Sequence, residues 1–432
     1  MASTRPSGPP TASEPTRTPT GRVAQAEMRA ANMGVLLRHL RRHGGRSRAR
    51  LAEETGLSKA TTSSLVTDLA QRGLVREGDT VRAGGVGRPG TTVTLDGAAV
   101  TGIGLELSVD YAAYTAVTLG GAVVRERVAP LDVARLGPDA VLDRTAAHLT
   151  TMIDSLREAG AIVVGITVAP PGIIDYATGT LRFAPNLGWR NIALLDAYAA
   201  RLGPGAPPVR LENDAKLAAV AEYEHYRDQG IDDLLHLTGE VGVGAGIISS
   251  GRLMRGWSGF SGEVGHLNLD PEQRPCNCGR RGCWETVVGL NAFLDLAVPA
   301  DDPLHDPGRA LEDRLLTLQS RAAEGDARVL DALATIVDRL ASGLSILVDV
   351  LNPRVIVLGG YYSFFGETII GPLSERLDAR RLDPGSGVLL APSHLGFMAT
   401  ARGGALLALE DVFETPTLVA PPASAPAAAP RD

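Results

Sequence analysis

All three cysteines of this 432-residue chain fall within eight residues, Cys276-Asn277-Cys278-Gly279-Arg280-Arg281-Gly282-Cys283. An odd number packed so closely cannot be the disulfide framework of a secreted domain. His266 stands just upstream, and three thiolates plus one imidazole complete a tetrahedral zinc shell with no position left for water. The cluster therefore predicts a structural Zn2+ held by His266, Cys276, Cys278 and Cys283, and any fold must bring position 266 to 276–283. Reduced, unliganded cysteines would leave the C-x-C-G-x-x-G-C turn unexplained.

The charge is divided unevenly. Of 42 Lys+Arg and 49 Asp+Glu, residues 1–95 hold 15 and 7, a surplus of 8, so the overall −7 leaves −15 for the rest. A basic head on an acidic body suits a nucleic-acid-binding unit joined to something else, although a solvated basic tail would give the same count. Neither a run of about 20 apolar residues nor the apolar centre of a secretory signal is present. A cytoplasmic protein without a membrane partner is expected.

Punctuation by glycine and capping residues divides the head. Met33, Leu36, Leu37 and Leu40 repeat at helical spacing up to Gly44-Gly45; Ser47 can cap a second helix ending at Thr55; Ser58 can cap a third, with Thr62, Leu65, Val66 and Leu69 inward and Gly73 as its stop. Strands at 74–77 and 91–95 flank a Gly-rich loop. This is the layout of a winged helix-turn-helix over 26–96. Its third helix offers Ser58, Lys59, Thr61, Ser63 and Ser64, short polar side chains and one cation suited to the DNA major groove. Arg88, in the loop Gly84-Gly85-Val86-Gly87-Arg88-Pro89-Gly90, can reach a phosphate or a narrow minor groove. An ordinary solvated helix face and a plain hairpin loop are the alternatives.

Beyond Asp96-Gly97 the pattern changes to alternating strands and helices, an α/β body over 97–414. Strands at 101–107, 114–119 and 123–128 form a meander, followed by an amphipathic helix at 138–159 and strands at 162–168 and 208–212 with a helix near 191–201 between them. A second meander at 234–238, 243–248 and 252–254 repeats the plan, as by internal duplication. A long helix near 326–351, a strand at 354–358 and a helix near 400–412 complete the body. Pro, Ser, Thr and Ala dominate residues 1–25 and 415–432, which are expected to be disordered tails.

The cysteine cluster with Trp284-Glu285, the preceding Gly262-Glu263-Val264-Gly265-His266 and the pair Asn213-Asp214 resemble the signature of the ROK family, which joins transcriptional repressors and sugar kinases. The resemblance runs from about Asn32 to Val412. It implies a two-lobed actin-like, ribonuclease-H-like fold, with a small lobe of about 97–213 plus 396–414 and a large lobe of about 214–395. It also implies sugar contacts at Asn186, Asn213, Asp214, Glu263, His266 and Glu285. Amides and carboxylates suit vicinal hydroxyls, and His266 can serve zinc through one ring nitrogen and sugar through the other. At Asp214 the family's kinases place the base that activates the attacking hydroxyl.

The phosphate half departs from those kinases. Where their first meander has Asp-x-Gly-Gly-Thr-Lys, this chain has Glu106-Leu107-Ser108-Val109-Asp110-Tyr111; where the second turn has Gly-Thr-Gly, it has Glu240-Val241-Gly242. Losing one preorganised donor costs on the order of 10² to 10³ in rate, so several losses with added acids argue against phosphoryl transfer. The expectation is no enzyme but a sugar-responsive repressor of sugar uptake or catabolism genes. Its partners are a double-stranded inverted-repeat operator and a sugar or sugar phosphate effector, and it acts as a homodimer or dimer of dimers. Hinges are expected near Asp214 and Leu395. An active sugar kinase with a DNA-binding head is one alternative, and a protein-binding regulator with a vestigial sugar site is another.

Overall fold

Capping residues delimit the head helices in the computed structural model, which describes residues 21–78, 91–306, 308–380, 382 and 387–421. Helix α1 (Gly21–His43) ends in Arg41-Arg42-His43, cations that suit a helix C-terminus. Ser47 of β1 (Arg46–Ser47) accepts from the Arg50 amide to cap α2 (Arg48–Thr55), which Gly56 closes at φ 72°. Ser58 likewise caps α3 (Lys59–Gln71) through the Thr61 amide, and α3 buries Thr62, Leu65, Val66 and Leu69. Strands β2 (Val75–Gly78) and β3 (Thr92–Leu95) pair antiparallel, with β1 on the far side of β3. The head is the winged helix-turn-helix expected. The loop carrying Arg88 lies outside the described residues, as do 1–20 and 422–432 of the two expected tails.

Both tail boundaries need correction. Residues 21–25 are helical, extending α1 through an alanine-rich stretch with high helix propensity. At the other end, residues 415–421 are built into the molecule. Val419 is fully buried in the head core, and its carbonyl accepts from Arg72 Nη1 at 2.6 Å. Composition averaged over a Pro/Ala-rich segment hides one apolar residue that a neighbouring domain can take up.

The body is two five-stranded sheets of matching plan. In the first, β4 (Val100–Leu107), β5 (Tyr111–Thr118) and β6 (Val123–Pro130) form the meander. After α4 (Val133–Leu136) and α5 (Pro138–Glu158), β7 (Ile162–Ala169) joins parallel to β4. A separate small sheet of β8 (Ile173–Asp175), β9 (Thr180–Ala184) and β10 (Trp189–Ile192) follows, then α6 (Leu194–Leu202) and β11 (Val209–Leu211). The second sheet comes after α7 (Asp214–Arg227). It contains β12 (Leu234–Gly239), β13 (Val243–Ser249) and β14 (Arg252–Leu253). Helices α8 (Glu285–Val288), α9 (Leu290–Ala297), α10 (Leu311–Ala323) and α11 (Ala327–Leu351) lead to its parallel strand β15 (Val355–Gly360). Helices α12 (Tyr361–Phe364) and α13 (Glu367–Asp378), strand β16 (Leu389–Pro392) and helix α14 (Ala399–Glu414) complete the body. The orders β6-β5-β4-β7-β11 and β14-β13-β12-β15-β16 are the same, so the duplication is real. The small sheet β8–β10 had no counterpart in the sequence reading, because its three- to five-residue strands are too short for a periodic signal.

Small residues let α14 sit deep between the sheets. A Cβ on Gly104 of β4 would lie 1.8 Å from the Ala401 carbonyl oxygen, and one on Gly403 would lie 1.9 Å from that of Leu217 on α7. Its far end enters the head: Leu409, Val412 and Phe413 share one core with Met33, Leu36 and Leu37 of α1. Head and body are thus joined by apolar packing as well as by the covalent link at 96–99.

Candidate functional site

Between the two five-stranded sheets lies a cleft of about 260 Å³, and Asn186, Asn213, Asp214, Glu263, His266 and Glu285 all line it. Six positions spread over a hundred residues converge because each sits at an element's end. Asn213 caps α7, its Oδ1 accepting from the Lys216 amide at 3.2 Å while Nδ2 donates to the Gly172 carbonyl at 3.3 Å. Asp214 opens the same helix and accepts from the Ala215 amide at 2.8 Å. Burial, reinforced by the charges of Glu240 and Glu263, pushes its carboxyl up to about 7. Glu285 opens α8, and Asn186 follows β9 and accepts from Asn277 Nδ2 at 3.1 Å.

Sequence reasoning missed the layer behind these residues. Glu212 is 1% exposed and accepts from Arg255 Nε at 2.6 Å, from the Asn213 amide at 3.0 Å and from the Tyr176 hydroxyl. Lys216, equally buried, donates to the Gly259 carbonyl at 2.6 Å, tying α7 to the loop that leads into Glu263. Its being one of only two lysines in the chain was the available signal.

The cysteine knuckle borders the cleft. One donor atom each from His266, Cys276, Cys278 and Cys283 fall within 4.8 Å of one another. Cys276 Sγ lies 3.8 Å from His266 Nδ1, and the Cys278 and Cys283 sulfurs are 3.7 Å apart. A tetrahedron with zinc–sulfur bonds of about 2.3 Å has edges of roughly 3.8 Å, so this donor set fits such a metal. The other imidazole nitrogen, Nε2, faces Glu263 at 3.9 Å on the cleft side. Cys276 Sγ donates to Glu285 Oε1 at 2.8 Å, and burial with that carboxylate pushes the thiol well up. Gly279 and Gly282 turn the knuckle at φ 90° and 79°. Trp284 anchors it, its buried indole donating to the Arg339 carbonyl of α11 at 3.1 Å.

Within the same cleft the two meander turns face each other. Ser108 donates to Glu240 Oε2 at 2.9 Å, and the Tyr111 hydroxyl lies 3.0 Å from Glu240 Oε1 and 3.1 Å from Glu106 Oε1. Burial, then the charges of Glu240 and Asp214, raises Glu106; burial, then Asp110, raises Glu240 to about 7. Asp110 is not among the residues that line the cleft, and its charge acts on Glu240 and Tyr111 from behind. Of the two acids in the stretch Glu106 to Tyr111, Glu106 is the one that lines the cleft, while Asp110 is half-buried outside it with its carboxyl raised by burial.

On the head, Ser58, Lys59, Thr61 and Ser64 are exposed along α3, and Ser63 is half-buried. Two arginines occupy the serines. Arg48 Nη1 donates to Ser63 Oγ at 2.7 Å, and Arg29 Nη1 reaches Ser64 Oγ at 3.3 Å while pairing with Asp68. The Thr61 hydroxyl lies 2.8 Å from Ser58 Oγ within the cap. Lys59 has no side-chain partner among the described residues, and Arg48 and Arg29 join the surface that sequence reasoning assigned to the serines.

These features have counterparts among known proteins. A model described as ROK family matches residues 103–411, and one described as MarR family matches residues 35–88. The xylose repressor of Caldicellulosiruptor bescii is 29% identical over 350 residues, 77% of this chain and 84% of that protein. The glucokinase of Halalkalibacterium halodurans is 32% identical over 270 residues, 61% of this chain and 76% of that protein. Among solved structures, a ROK family transcriptional regulator homologous to the Escherichia coli MLC protein superposes with a TM-score of 0.73 at 24% identity. That match covers 91% of this chain and 99% of the regulator. With a matched body, a matched head and the cleft and knuckle that its motifs foretold, this chain belongs to the ROK family.

Proposed function

We propose that this protein is a sugar-responsive transcriptional repressor that binds DNA through its head and a sugar in its cleft without phosphorylating it. One observation carries the reading: α14 spans the distance between the two sites. At its start the Thr400 hydroxyl donates to the Asp214 carbonyl at 3.2 Å, beside the cleft. At its end Phe413 lies in the head core, Arg38 Nη1 donates to the Phe413 carbonyl at 2.7 Å, and Arg41 pairs with Glu410. A helix of 16 residues is about 24 Å long, so a shift of one lobe on the other moves the head as a lever. A coupling of about 1 to 3 kcal/mol changes operator occupancy several-fold.

The lobes divide at Asp214 and again near Leu395, giving a small lobe of about 97–213 plus 396–414 and a large lobe of about 214–395. Asn186, Asn213, Asp214, Glu263, His266 and Glu285 hold the sugar. A structural Zn2+ on His266, Cys276, Cys278 and Cys283 would fix the His266 ring and the start of α8, which carries Glu285. Two heads of a symmetric dimer would read an inverted repeat. Among the described residues no helix is long and apolar enough to cross a membrane, in keeping with a repressor acting in the cytoplasm.

A sugar kinase is the second reading, favoured by the glucokinase relative and by an Asp214 carboxyl placed to act as a base. Against it weigh Glu106 and Glu240, which line the cleft where the family's kinases carry phosphate donors. Coupled ADP-release assays over common hexoses and pentoses, run beside calorimetry with the same sugars, separate the readings. Heat of binding without ADP release is expected; turnover with any sugar would establish the kinase.

A further inference from the structure

The cleft has a polarity that the sugar-binding reading, on which this inference rests, does not by itself require. Asn186, Glu263, His266 and Glu285 gather around the knuckle, and Glu106 and Glu240 form a linked pair of cleft-lining acids close enough to Asp214 for their charges to act on one another. The two acids are held in place. Ser108 and Tyr111 reach Glu240 from the β4–β5 turn, Tyr111 also reaches Glu106, and Glu106 is only 4% exposed. One oxygen of Glu106, Oε2, is buried without any hydrogen-bond partner among the described residues. A buried acceptor in that condition seeks a donor.

We infer that this part of the cleft selects free sugars and rejects their phosphate esters, with Glu106 and Glu240 as the specificity-determining residues. A sugar seated on the knuckle-side residues turns the hydroxyl nearest Asp214 toward the acid pair. That hydroxyl is a donor, and Glu106 Oε2 and Glu240 can accept from it. A phosphate at the same carbon has only acceptor oxygens and a charge of nearly −2 at neutral pH, and would meet two carboxyl groups. Among the cleft-lining residues the one cationic side chain of fixed charge is Arg280, which belongs to the knuckle. A dianion brought into a partly dry cleft with no cation to pair it, beside two acids whose ionisation burial already opposes, should bind about 100-fold or more weaker than its parent sugar. The acids that displaced the phosphate-binding turns thus gain a use of their own.

The test is calorimetric titration of the full chain with glucose, xylose, N-acetylglucosamine and glucosamine, and with the terminal phosphate ester of each. At least one free sugar should bind, with its ester weaker by about 100-fold or more. Glu240→Gln and Glu106→Gln keep shape while replacing an acid with an amide that can donate to phosphate, and each should narrow that ratio by about tenfold. An ester that binds as tightly as its parent sugar would overturn this inference while leaving the sugar site standing. A ratio unchanged in both variants would overturn the role of these two acids. Absence of heat with every sugar and ester would overturn the sugar-site reading itself, and this inference with it.

Discussion

The hydroxyl of Thr400 donates to the backbone carbonyl of Asp214 at 3.2 Å, so the first turn of α14 touches the first residue of α7 at the edge of the cleft. The two helices pack closely at Gly403 of α14, against the Leu217 carbonyl of α7, and α14 then runs into the head. A ligand that alters the position of Asp214 acts directly on the element that carries the DNA-binding unit.

That linkage is tested at its far end. Phe413 is 1% exposed, with the Arg41 guanidinium 4.1 Å above its ring. Phe413→Ala should cost about 3–5 kcal/mol through lost burial and the cavity left behind. Differential scanning calorimetry should then show the head melting ahead of the body, in place of a single transition. Retention of one transition at the parental temperature would show that the shared core does not join them.

The acids of the cleft give stability a pH dependence of known sign. Asp214 and Glu240 rise to about 7 in the folded chain from ordinary values of 3.8 and 4.5, chiefly by burial. The folded state therefore binds more protons than the unfolded state between about pH 4 and 7. Their contribution is most favourable below that window and is lost as pH rises through it. Glu106 and Glu263 are raised too and add to the effect, while Lys216 opposes it by attraction. Asp214→Asn and Glu240→Gln should each flatten the fall in melting temperature between pH 5 and 8. At pH 8 each should stabilise by about 1 kcal/mol, a figure reduced for the cleft's access to water.

Metal removal should act on the sugar site as well as on the fold. Cys276 shares Glu285 with the cleft, and His266 presents one nitrogen to each side. Chelation, or Cys283→Ser, should lower the melting temperature and weaken sugar binding by about tenfold or more, because His266 and Glu285 lose their orientation. Zinc content by atomic absorption of the native protein, expected at one per chain, provides the check.

On the head, Lys59→Ala should weaken DNA binding across all sequences and reduce the slope of log K against log salt by about 1. Arg48→Ala should cost more, because Arg48 also bonds Ser63 and pairs with Glu77 across the head. Salt titrations by fluorescence anisotropy give both numbers.

Much of this architecture was legible in the residues. Ser47 and Ser58 act as the caps they spell, and the two meanders repeat because β-branched runs and glycine turns mark them. The cleft residues assembled because each lies in a motif at an element's end. Tertiary partners were not legible. Nothing near Ser63 or Ser64 announces that Arg48 and Arg29 will occupy them. Val419 looks like tail until a core accepts it. Glu106, Tyr111 and Glu240 read as losses of phosphate donors, and only their mutual distances reveal a constructed group. Local sequence encodes propensity and capping, whereas contacts across more than a hundred residues depend on the packing of whole layers.

The central claim is that the sugar cleft governs the DNA-binding head. Its most direct test is fluorescence anisotropy of the full chain on a DNA site selected from a random duplex pool, titrated with the free sugar that calorimetry identifies. Sugar should shift DNA affinity several-fold in the parent chain, and Asp214→Ala should bind the same DNA but no longer respond. DNA affinity unchanged at saturating sugar, or an undiminished response in Asp214→Ala, would contradict the claim.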